Sequence, residues 1–325
     1  MAEILLIDVR TPSHVNTVTQ IFLNGDLDSY ESLVVIAPET LSVPEWPAVL
    51  IKYSFVPSSY TAVFKILSLS KCIEKHAKHA TSFDYLSAVN FGPLYDALRA
   101  RLQFKAQLLF EDGVSSYLNL KVGLRWLKFI LITAIAGRRA KISSGKFFSG
   151  SDEFATAIYT DKPLLVRSME LSAEVRLLPS GWSPTNQKEK AIYLLSSSSV
   201  EYGLCSLERY KELMQWLSES YEGQPIIVSF HHNESQANTK LNILKLLFQV
   251  ERVVERGRAV EADMNESGKM IEVIAPFNSV ALNLVDSGRL IKMSLYDDKG
   301  PNIELRKQLF RKLNSFSDLE IDIYE

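Results

Sequence analysis

The sequence predicts an α/β protein of two domains, and three observations support this prediction. The chain has 325 residues, which is more than one hydrophobic core usually organises. Short apolar runs alternate with segments of helical spacing, as is typical of α/β layers. The segment 176–190 contains two prolines and a glycine, and the alternation begins again after it. We therefore place the domains at 1–180 and 190–325.

The first half of the chain alternates predicted strands and helices in order. Continuous apolar runs predict buried parallel strands, and apolar residues three and four positions apart predict helices. The predicted strands are 4–7, 33–37 and 106–110, and the predicted helices are 11–23 and 59–80. The last of these strands runs directly into Glu111-Asp112-Gly113, at the end where open α/β sheets place ligand groups.

The second half repeats the same alternation. The predicted strands are 191–195, 226–230 and 270–274, and the predicted helices are 206–217, 241–250 and 302–313. Ser206 is the expected N-cap of the first of these helices. The residues Ser196–Ser199, which we call the serine loop, follow the first of these strands. We assign the last helix to the second domain or to a crossing back onto the first.

Composition and missing motifs exclude several functional classes. The formal charge of −2 argues against a general nucleic-acid binder, which usually carries a basic excess. The chain has two cysteines, Cys72 and Cys205, far apart in the sequence, so we expect no disulfide framework, which fits a reducing compartment. No GxGxxG, P-loop or nucleophile-elbow pattern is present, which disfavours dehydrogenases, NTPases and hydrolases. We expect a cytoplasmic protein whose first residues form a core strand rather than a signal peptide.

The acidic pair after strand 106–110 is a candidate general base. Adjacent carboxylates repel each other, so that one of Glu111 and Asp112 can have a raised pKa and accept a proton near neutral pH. Such a base could deprotonate a sugar hydroxyl as it attacks an anomeric carbon. The alternative is an acidic surface turn that Gly113 makes tight.

A pair of histidines follows strand 226–230. His231 or His232 can donate a proton or a charged hydrogen bond to a departing phosphate. The alternative is an exposed pair of loop histidines. We expect no metal site here, because adjacent residues rarely ligate one ion together and Glu234 alone does not complete a ligand set.

A polar turn follows strand 270–274 and precedes a helical pattern. Backbone N–H groups and the Ser279 hydroxyl can bind a phosphate at such a helix start. The alternative is an ordinary helix N-cap, formed by Asn278 or Ser279.

The stretch 121–146 is basic and contains an apolar, Trp-containing segment. Seven Lys and Arg residues and no acid lie between Gly113 and Gly150. The stretch could hold an anionic acceptor glycan or make a peripheral contact with an anionic membrane face. The alternative is a core helix with solvated cationic ends.

The order of these segments resembles that of bacterial sialyltransferases of the lipooligosaccharide and polysialic-acid capsule type. Those enzymes carry an acid-acid-glycine motif, then a His-Pro motif, then a Ser/Thr-rich motif. The residues Glu111–Gly113 resemble the first motif. The segment His231–Glu234 resembles the second, with His232 where the family has proline. The segment Asn278–Val280 resembles the third and retains one of the usual hydroxyls. The segment Tyr193–Tyr210 is similar to the strand, loop and helix that open the family's nucleotide-binding domain.

The resemblance implies a GT-B fold, in which two Rossmann-like α/β domains face a central cleft. It implies a glycosyltransferase that needs no metal or other cofactor and inverts the configuration of the transferred sugar. The implied donor is a CMP-activated nonulosonic acid of the sialic, pseudaminic or legionaminic acid type, and the implied acceptor is a bacterial surface glycan or glycolipid. A GT-B enzyme for another nucleotide sugar, or a non-catalytic capsule-assembly protein on a transferase scaffold, remains an alternative.

The resemblance also implies roles for individual residues. Glu111, or as the second choice Asp112, would be the general base, and His231 would meet the phosphate as CMP leaves. The residues implied to bind substrate or nucleotide are Gly113, Ser197, Ser198, His232, Asn278 and Ser279.

Overall fold

The chain forms two compact units, each built on a parallel β-sheet. The structure is a computed structural model, and it describes residues 3–57, 62–76, 82–88, 93–111, 131, 155–163, 173–185, 187–231, 233–256, 258–300, 302–316 and 319–324. The first unit comprises Met1–Asp161 and Met169–Pro179, and the second comprises Lys162–Ser168 and Ser180–Glu325.

The first unit contains a seven-stranded sheet with helices on both faces. Its strands are β1 (Glu3–Asp8), β2 (Ser32–Pro38), β3 (Val49–Tyr53), β4 (Ser82–Ser87), β5 (Phe104–Phe110), β6 (Ala155–Thr160) and β7 (Glu174–Leu177). Its described helices are α1 (Pro12–Leu23), α2 (Ala62–His76) and α3 (Pro93–Leu102). The strands lie in the order β3-β2-β1-β4-β5-β6-β7, and every pair is parallel.

The side chains of β1, an interior strand, show that this sheet is buried on both faces. Successive side chains of a strand point to opposite faces. Leu6 packs in the apolar cluster that includes α2 and α3 residues, and Ile7 packs in the cluster that includes α1 residues. Continuous apolar runs such as Glu3–Asp8 are therefore what a parallel sheet covered on two sides requires.

The second unit contains a six-stranded parallel sheet. Its strands are β8 (Lys190–Leu195), β9 (Pro225–Ser229), β10 (Gln249–Val253), β11 (Met270–Pro276), β12 (Leu290–Tyr296) and β13 (Glu320–Tyr324). Its described helices are α4 (Leu207–Glu219), α5 (Ala237–Leu247), α6 (Val260–Ser267), α7 (Ser279–Val285) and α8 (Ile303–Phe316). The strands lie in the order β10-β9-β8-β11-β12-β13, which is the order of a dinucleotide-binding sheet.

Side-chain caps fix where several helices begin. The Ser206 side chain accepts a hydrogen bond from the backbone N–H of Arg209, so the predicted N-cap of α4 is confirmed. Thr11 caps α1 in the same way, with Pro12 in the first turn, where proline has no hydrogen bond to lose.

Two predictions in the second half are wrong, the bounds of one helix and the assignment of the last helix as the final element. The helix predicted at 241–250 begins at Ala237 and ends at Leu247, because Phe248 is extended and β10 starts at Gln249. The helix predicted at 302–313 is present as α8 within the second unit, but β13 follows it and pairs with β12. Its apolar residues alternate with acidic ones, so it lacks the continuous apolar run from which the buried parallel strands were predicted.

The predicted linker 176–190 is shorter than expected. Arg176 and Leu177 belong to β7, which pairs with β6. Further along, Ser183 N–H donates to the Asn265 side chain at 2.9 Å, and the Arg289 guanidinium lies 5.9 Å from the Trp182 ring centroid. The segment after Ser180 is therefore docked on the second unit, which its polar, proline-containing sequence does not reveal.

The basic stretch 121–146 lies, apart from Leu131, outside the described residues. Its acceptor and membrane interpretations therefore stay predictions. Among the described residues, no helix combines the length and apolar character needed to cross a membrane.

Candidate functional site

Four loops of the second unit meet at the carboxyl edge of its sheet. Strands β9, β8, β11 and β12 are consecutive neighbours and parallel, so the loops that follow them emerge at one edge. The serine loop and the Asn278-Ser279 turn follow β8 and β11, the two strands between which the strand order reverses. In open α/β sheets, ligands bind at this reversal, outside the carboxyl ends of the strands.

The serine loop is tied to the end of β12. The Ser199 hydroxyl donates to Asp298 Oδ2 at 2.6 Å, and Asp298 Oδ1 accepts the Gly300 N–H at 3.0 Å. The Ser197 hydroxyl lies 3.2 Å from that of Ser199. Ser197 and Ser198 are half-buried, so the loop is held in place while both residues stay within reach of a ligand.

His231 is exposed at the start of the turn that follows β9. Its Nδ1 accepts a hydrogen bond from the Asn233 N–H at 3.3 Å. In the neutral ring the proton therefore sits on Nε2, which makes Nε2 the donor nitrogen. We call the backbone from His231 to Glu234 the His231 turn, which the Glu234 N–H closes by donating to His231 O at 3.0 Å.

A buried ion cluster lies beneath the His231 turn and the serine loop. It consists of Glu234, Lys240 and Glu201. The Lys240 ammonium contacts Glu234 Oε2 at 2.7 Å and Glu201 Oε2 at 2.9 Å, and it donates to Ser197 O at 2.7 Å. The side chains of Lys240 and Glu234 are 0% exposed. Such a cluster needs each partner, because an unpaired buried charge is costly.

The pKa values of the two carboxyl groups of this cluster are shifted in opposite directions. Burial raises the pKa of Glu234, and the hydrogen bonds from Lys240 and Ser196 oppose the increase only in part. Burial also acts to raise the pKa of Glu201, but hydrogen bonds from Lys240 and from the Gln236 N–H outweigh it and lower that pKa.

The Asn278-Ser279 turn begins α7. The Asn278 side chain accepts the Ala281 N–H at 2.9 Å, so the N-cap interpretation holds for Asn278. Ser279 is the first helical residue and is half-buried. Beside this turn, Arg306 donates to Phe277 O at 2.8 Å, and burial lowers its pKa.

The carboxyl edge of the first sheet holds Glu111. Glu111 follows β5 and is half-buried, and its Oε2 accepts the Thr160 hydroxyl of the neighbouring strand β6 at 3.0 Å. The carboxylate therefore stands where the sequence predicts, at the end of a strand.

A buried ion pair lies at the same edge, at the end of the central strand β1. The Asp8 side chain is 0% exposed. Asp8 Oδ2 accepts from Arg10 Nη2 at 2.5 Å and from the Tyr85 hydroxyl at 2.7 Å. Burial, and next the Asp8 charge, raise the pKa of Tyr85, so its hydroxyl remains a donor.

The predicted site residues are therefore divided between the two units. Those at the carboxyl edge of the second sheet are Ser197, Ser198, His231, Asn278 and Ser279. Glu111 belongs to the first unit. Asp112, Gly113 and His232 lie outside the described residues, so their roles stay predictions.

The sequence patterns missed the residues that support this edge. Lys240 lies before the predicted helix start at Leu241, so its position one turn into α5 was not recognised. Glu234 was considered as a metal ligand and as the end of the segment His231–Glu234, but not as a buried partner of Lys240. Asp297-Asp298 followed by Gly300 repeats the acids-then-glycine pattern seen after β5, but β12 itself was not predicted because Lys292 and Ser294 interrupt its apolar residues.

No metal or cofactor site is assigned. Within the ranges given above, no group of three or more His, Cys, Asp or Glu side chains has the arrangement needed to hold a metal ion. The absence of a cofactor remains an expectation from the sequence.

Comparisons with known proteins find similarity in structure rather than in sequence. No protein-family model and no curated protein sequence matches the chain. A galactoside α-2,3-sialyltransferase from Photobacterium phosphoreum superposes with a TM-score of 0.55 at 11% identity, covering 99% of this chain and 98% of that one. The chain has the GT-B fold.

Other solved structures share this fold with similar TM-scores and sequence identities. A sialyltransferase from Photobacterium damsela gives a TM-score of 0.54 at 10% identity, covering 100% of this chain and 82% of that one. A UGT transferase from Siraitia grosvenorii, solved with UDP, gives 0.53 at 11% identity, covering 100% and 85%. The likeness establishes the GT-B architecture.

Proposed function

We propose that the protein is a glycosyltransferase that moves a nonulosonic acid from a CMP donor onto a glycan acceptor. The observation that carries the proposal is the second unit's carboxyl edge, where His231, the serine loop and the Asn278-Ser279 turn follow neighbouring parallel strands. A phosphate offers several acceptor oxygens, and these loops offer imidazole, hydroxyl and backbone donors to it.

His231 is the proposed stabiliser of the departing CMP. Its Nε2–H donates to a phosphate oxygen, and the charge that develops as the C–O bond breaks strengthens this bond. Ser197, Ser198 and Ser279 supply further hydroxyls. Gly113 and His232, with Asn278 as the cap that shapes its turn, complete the proposed binding set.

Glu111 is the proposed general base. Its carboxylate takes the proton of the acceptor hydroxyl, whose oxygen forms the new bond to the anomeric carbon. The bond from that carbon to the CMP oxygen breaks, and CMP leaves with the electron pair. Attack on the face opposite to CMP inverts the anomeric carbon. Asp112 is the second candidate for the base.

The structural neighbours support the donor class. Sialyltransferases are among the solved structures that share this fold, and sialic acid is a nonulosonic acid that is activated as a CMP sugar. The UDP-bound transferase has nearly the same TM-score, and this favours a second candidate function, transfer from a UDP-sugar.

A nucleotide screen separates the two candidates. Thermal unfolding is measured with CMP, UDP and GDP at equal concentrations, because a ligand that binds the folded state raises the unfolding temperature by mass action. We expect CMP to raise it most. A larger rise with UDP would favour the second candidate, and no rise with any of the three would contradict both.

Turnover tests the catalytic roles. We expect CMP release from CMP-sialic, CMP-pseudaminic or CMP-legionaminic acid in the presence of glycan acceptors. Glu111→Gln should lower kcat by about 10²–10⁴-fold, and His231→Asn by about 10²–10³-fold.

Matched controls make this test specific. Glu45→Gln and His76→Asn change exposed residues of the same types, and both should leave kcat unchanged. The catalytic assignment is wrong if Glu111→Gln behaves like Glu45→Gln while the wild type is active. Activity that survives both site substitutions would instead point to a different reaction centre.

A further inference from the structure

The Glu234 carboxylate is the point at which three polar groups of the site converge. Its Oε1 accepts the backbone N–H of His231 at 2.6 Å. Its Oε2 accepts the Ser196 hydroxyl and the Lys240 ammonium, each at 2.7 Å. One side chain thus connects the loop after β8 with the turn after β9.

The Lys240 ammonium binds this carboxylate. Lys240 belongs to α5, and its ammonium also donates to Glu201 and to Ser197 O. Glu201 in turn accepts the Gln236 N–H, just before α5 begins, at 3.1 Å. The cluster therefore joins the serine loop, the His231 turn and the start of α5. The side chains of Glu234 and Lys240 are both buried.

The orientation of the His231 ring depends on this turn. The ring is exposed, so neighbouring side chains enclose only part of it. Its Nδ1 is held by a backbone N–H two residues further along the same turn. A shift of the turn would therefore move the ring and release the hydrogen bond that keeps its proton on Nε2.

A buried ion cluster is not explained by stability alone. Replacing such a cluster by apolar side chains of similar volume is often neutral or stabilising. A fixed geometry for the groups above it is the better explanation, because the hydrogen bonds to a charged carboxylate are directional and strong.

We infer that Glu234 is a positioning residue, whose buried carboxylate fixes the His231 turn and thereby the orientation and tautomer of the His231 imidazole. The inference rests on the proposed function, since it gives His231 a phosphate to meet. It assigns Lys240 the role of holding Glu234 in place.

A double-mutant cycle on kcat tests the inference. Glu234→Gln keeps the size of the side chain but puts an amide N–H₂ in place of one carboxylate oxygen, where it faces either the His231 N–H or the Ser196 and Lys240 donors. We expect it to lower kcat on the order of tenfold to a hundredfold, because a small misplacement of a catalytic group has effects of this size. In a His231→Asn background the same change should lower kcat by less than about twofold.

Controls separate positioning from folding. Glu222→Gln alters an exposed glutamate of the same unit and should leave kcat unchanged. Glu234→Asp keeps the charge and the pairing with Lys240, so it should fold and lose less activity than Glu234→Gln. If Glu234→Gln does not fold, Glu234→Asp enters the cycle in its place. Equal losses in the two His231 backgrounds would overturn the inference.

A second readout does not need turnover. Imidazole ¹⁵N chemical shifts at pH 8 report which ring nitrogen carries the proton. We expect the Nε2–H form of His231 in the wild type and a mixture of tautomers in the Glu234 variant. An unchanged His231 signal would overturn the inference. A wild type that releases no nucleotide would contradict the proposed function, while the His231 signal still decides the role of Glu234.

Discussion

At the carboxyl edge of the second sheet, polar contacts join loops that follow three different strands, β8, β9 and β12. At the carboxyl edge of the first sheet, the described polar contacts join a strand end to the adjacent strand or to a residue nearby in the sequence. Asp8 binds Arg10, two residues away, and Tyr85 on the adjacent strand. Glu111 binds Thr160 on the adjacent strand.

The two sheets have the same strand order around β1 and β8. A loop held by buried partners loses little conformational entropy when a ligand binds it, and this favours affinity. The contacts that hold the serine loop and the His231 turn therefore suit ligand binding at the second edge. Under the proposed function, that edge holds the donor nucleotide, and the half-buried Glu111 carboxylate at the first edge takes the proton of the acceptor.

The largest expected effect comes from removing the cation of each buried pair. Lys240→Met leaves the buried Glu234 and Glu201 without their shared ammonium, and we expect a loss of about 3–5 kcal/mol in the free energy of unfolding. Arg10 is 27% exposed, so water can reach Asp8 once the guanidinium is gone and the Tyr85 donor remains. Arg10→Met should therefore cost less, about 1–3 kcal/mol.

Urea unfolding followed by circular dichroism measures both losses. Lys245→Met, an exposed lysine of the same helix α5, is the control and should change the free energy by less than about 0.5 kcal/mol. Equal losses at Lys240 and Arg10 would remove the contrast between the two edges.

A smaller loss in the free energy of unfolding is expected when the pH is lowered. In the second unit, hydrogen bonds from Arg252 and Tyr193 outweigh the effect of burial and lower the pKa of Asp263 below 3.8. A carboxyl group with a lowered native pKa stabilises the fold above its unfolded pKa, and this stabilisation is lost as pH falls through the native value. Arg252 is 41% exposed, so we expect only about 1 kcal/mol.

Asp263→Asn isolates this contribution. The variant should be less stable than the wild type at pH 7, and the difference should shrink as pH falls below 3.8. Unfolding free energies at pH 7 and pH 3 measure it. A difference that is the same at both pH values would show that Asp263 acts through packing rather than through its charge.

The apolar runs carried most of what the sequence could predict about the fold. Glu3–Asp8 and Met270–Pro276 are central strands, buried on both faces, so their sequences are continuous and easy to recognise. Of the strands that the sequence did not predict, β3, β7, β10 and β13 lie at sheet edges, where more of the side chains meet solvent and the apolar run is interrupted. The others, β4, β6 and β12, are interior strands whose apolar residues are separated by polar ones. The predicted bounds of helix α5 were displaced because Val250, an apolar residue in β10, continues the helical spacing of apolar residues.

The position of a polar group was predictable where it follows a recognised strand. Glu111, His231 and the serine loop lie at strand ends for this reason, and their roles stay predictions. Glu234 and Lys240 were not given their role because it depends on burial and on contacts between separate loops, which residue types do not encode. A lysine near a helix start is usually solvated, and only the packed loops above Lys240 make it different.

The central claim is that the carboxyl edge of the second sheet binds the donor nucleotide, and amide hydrogen exchange with and without saturating CMP tests it most directly. We expect CMP to slow exchange in the serine loop and the His231 turn, and to leave strands β1 and β2 of the first unit unchanged. The account is contradicted if CMP binds and slows exchange only in the first unit, or if CMP does not bind.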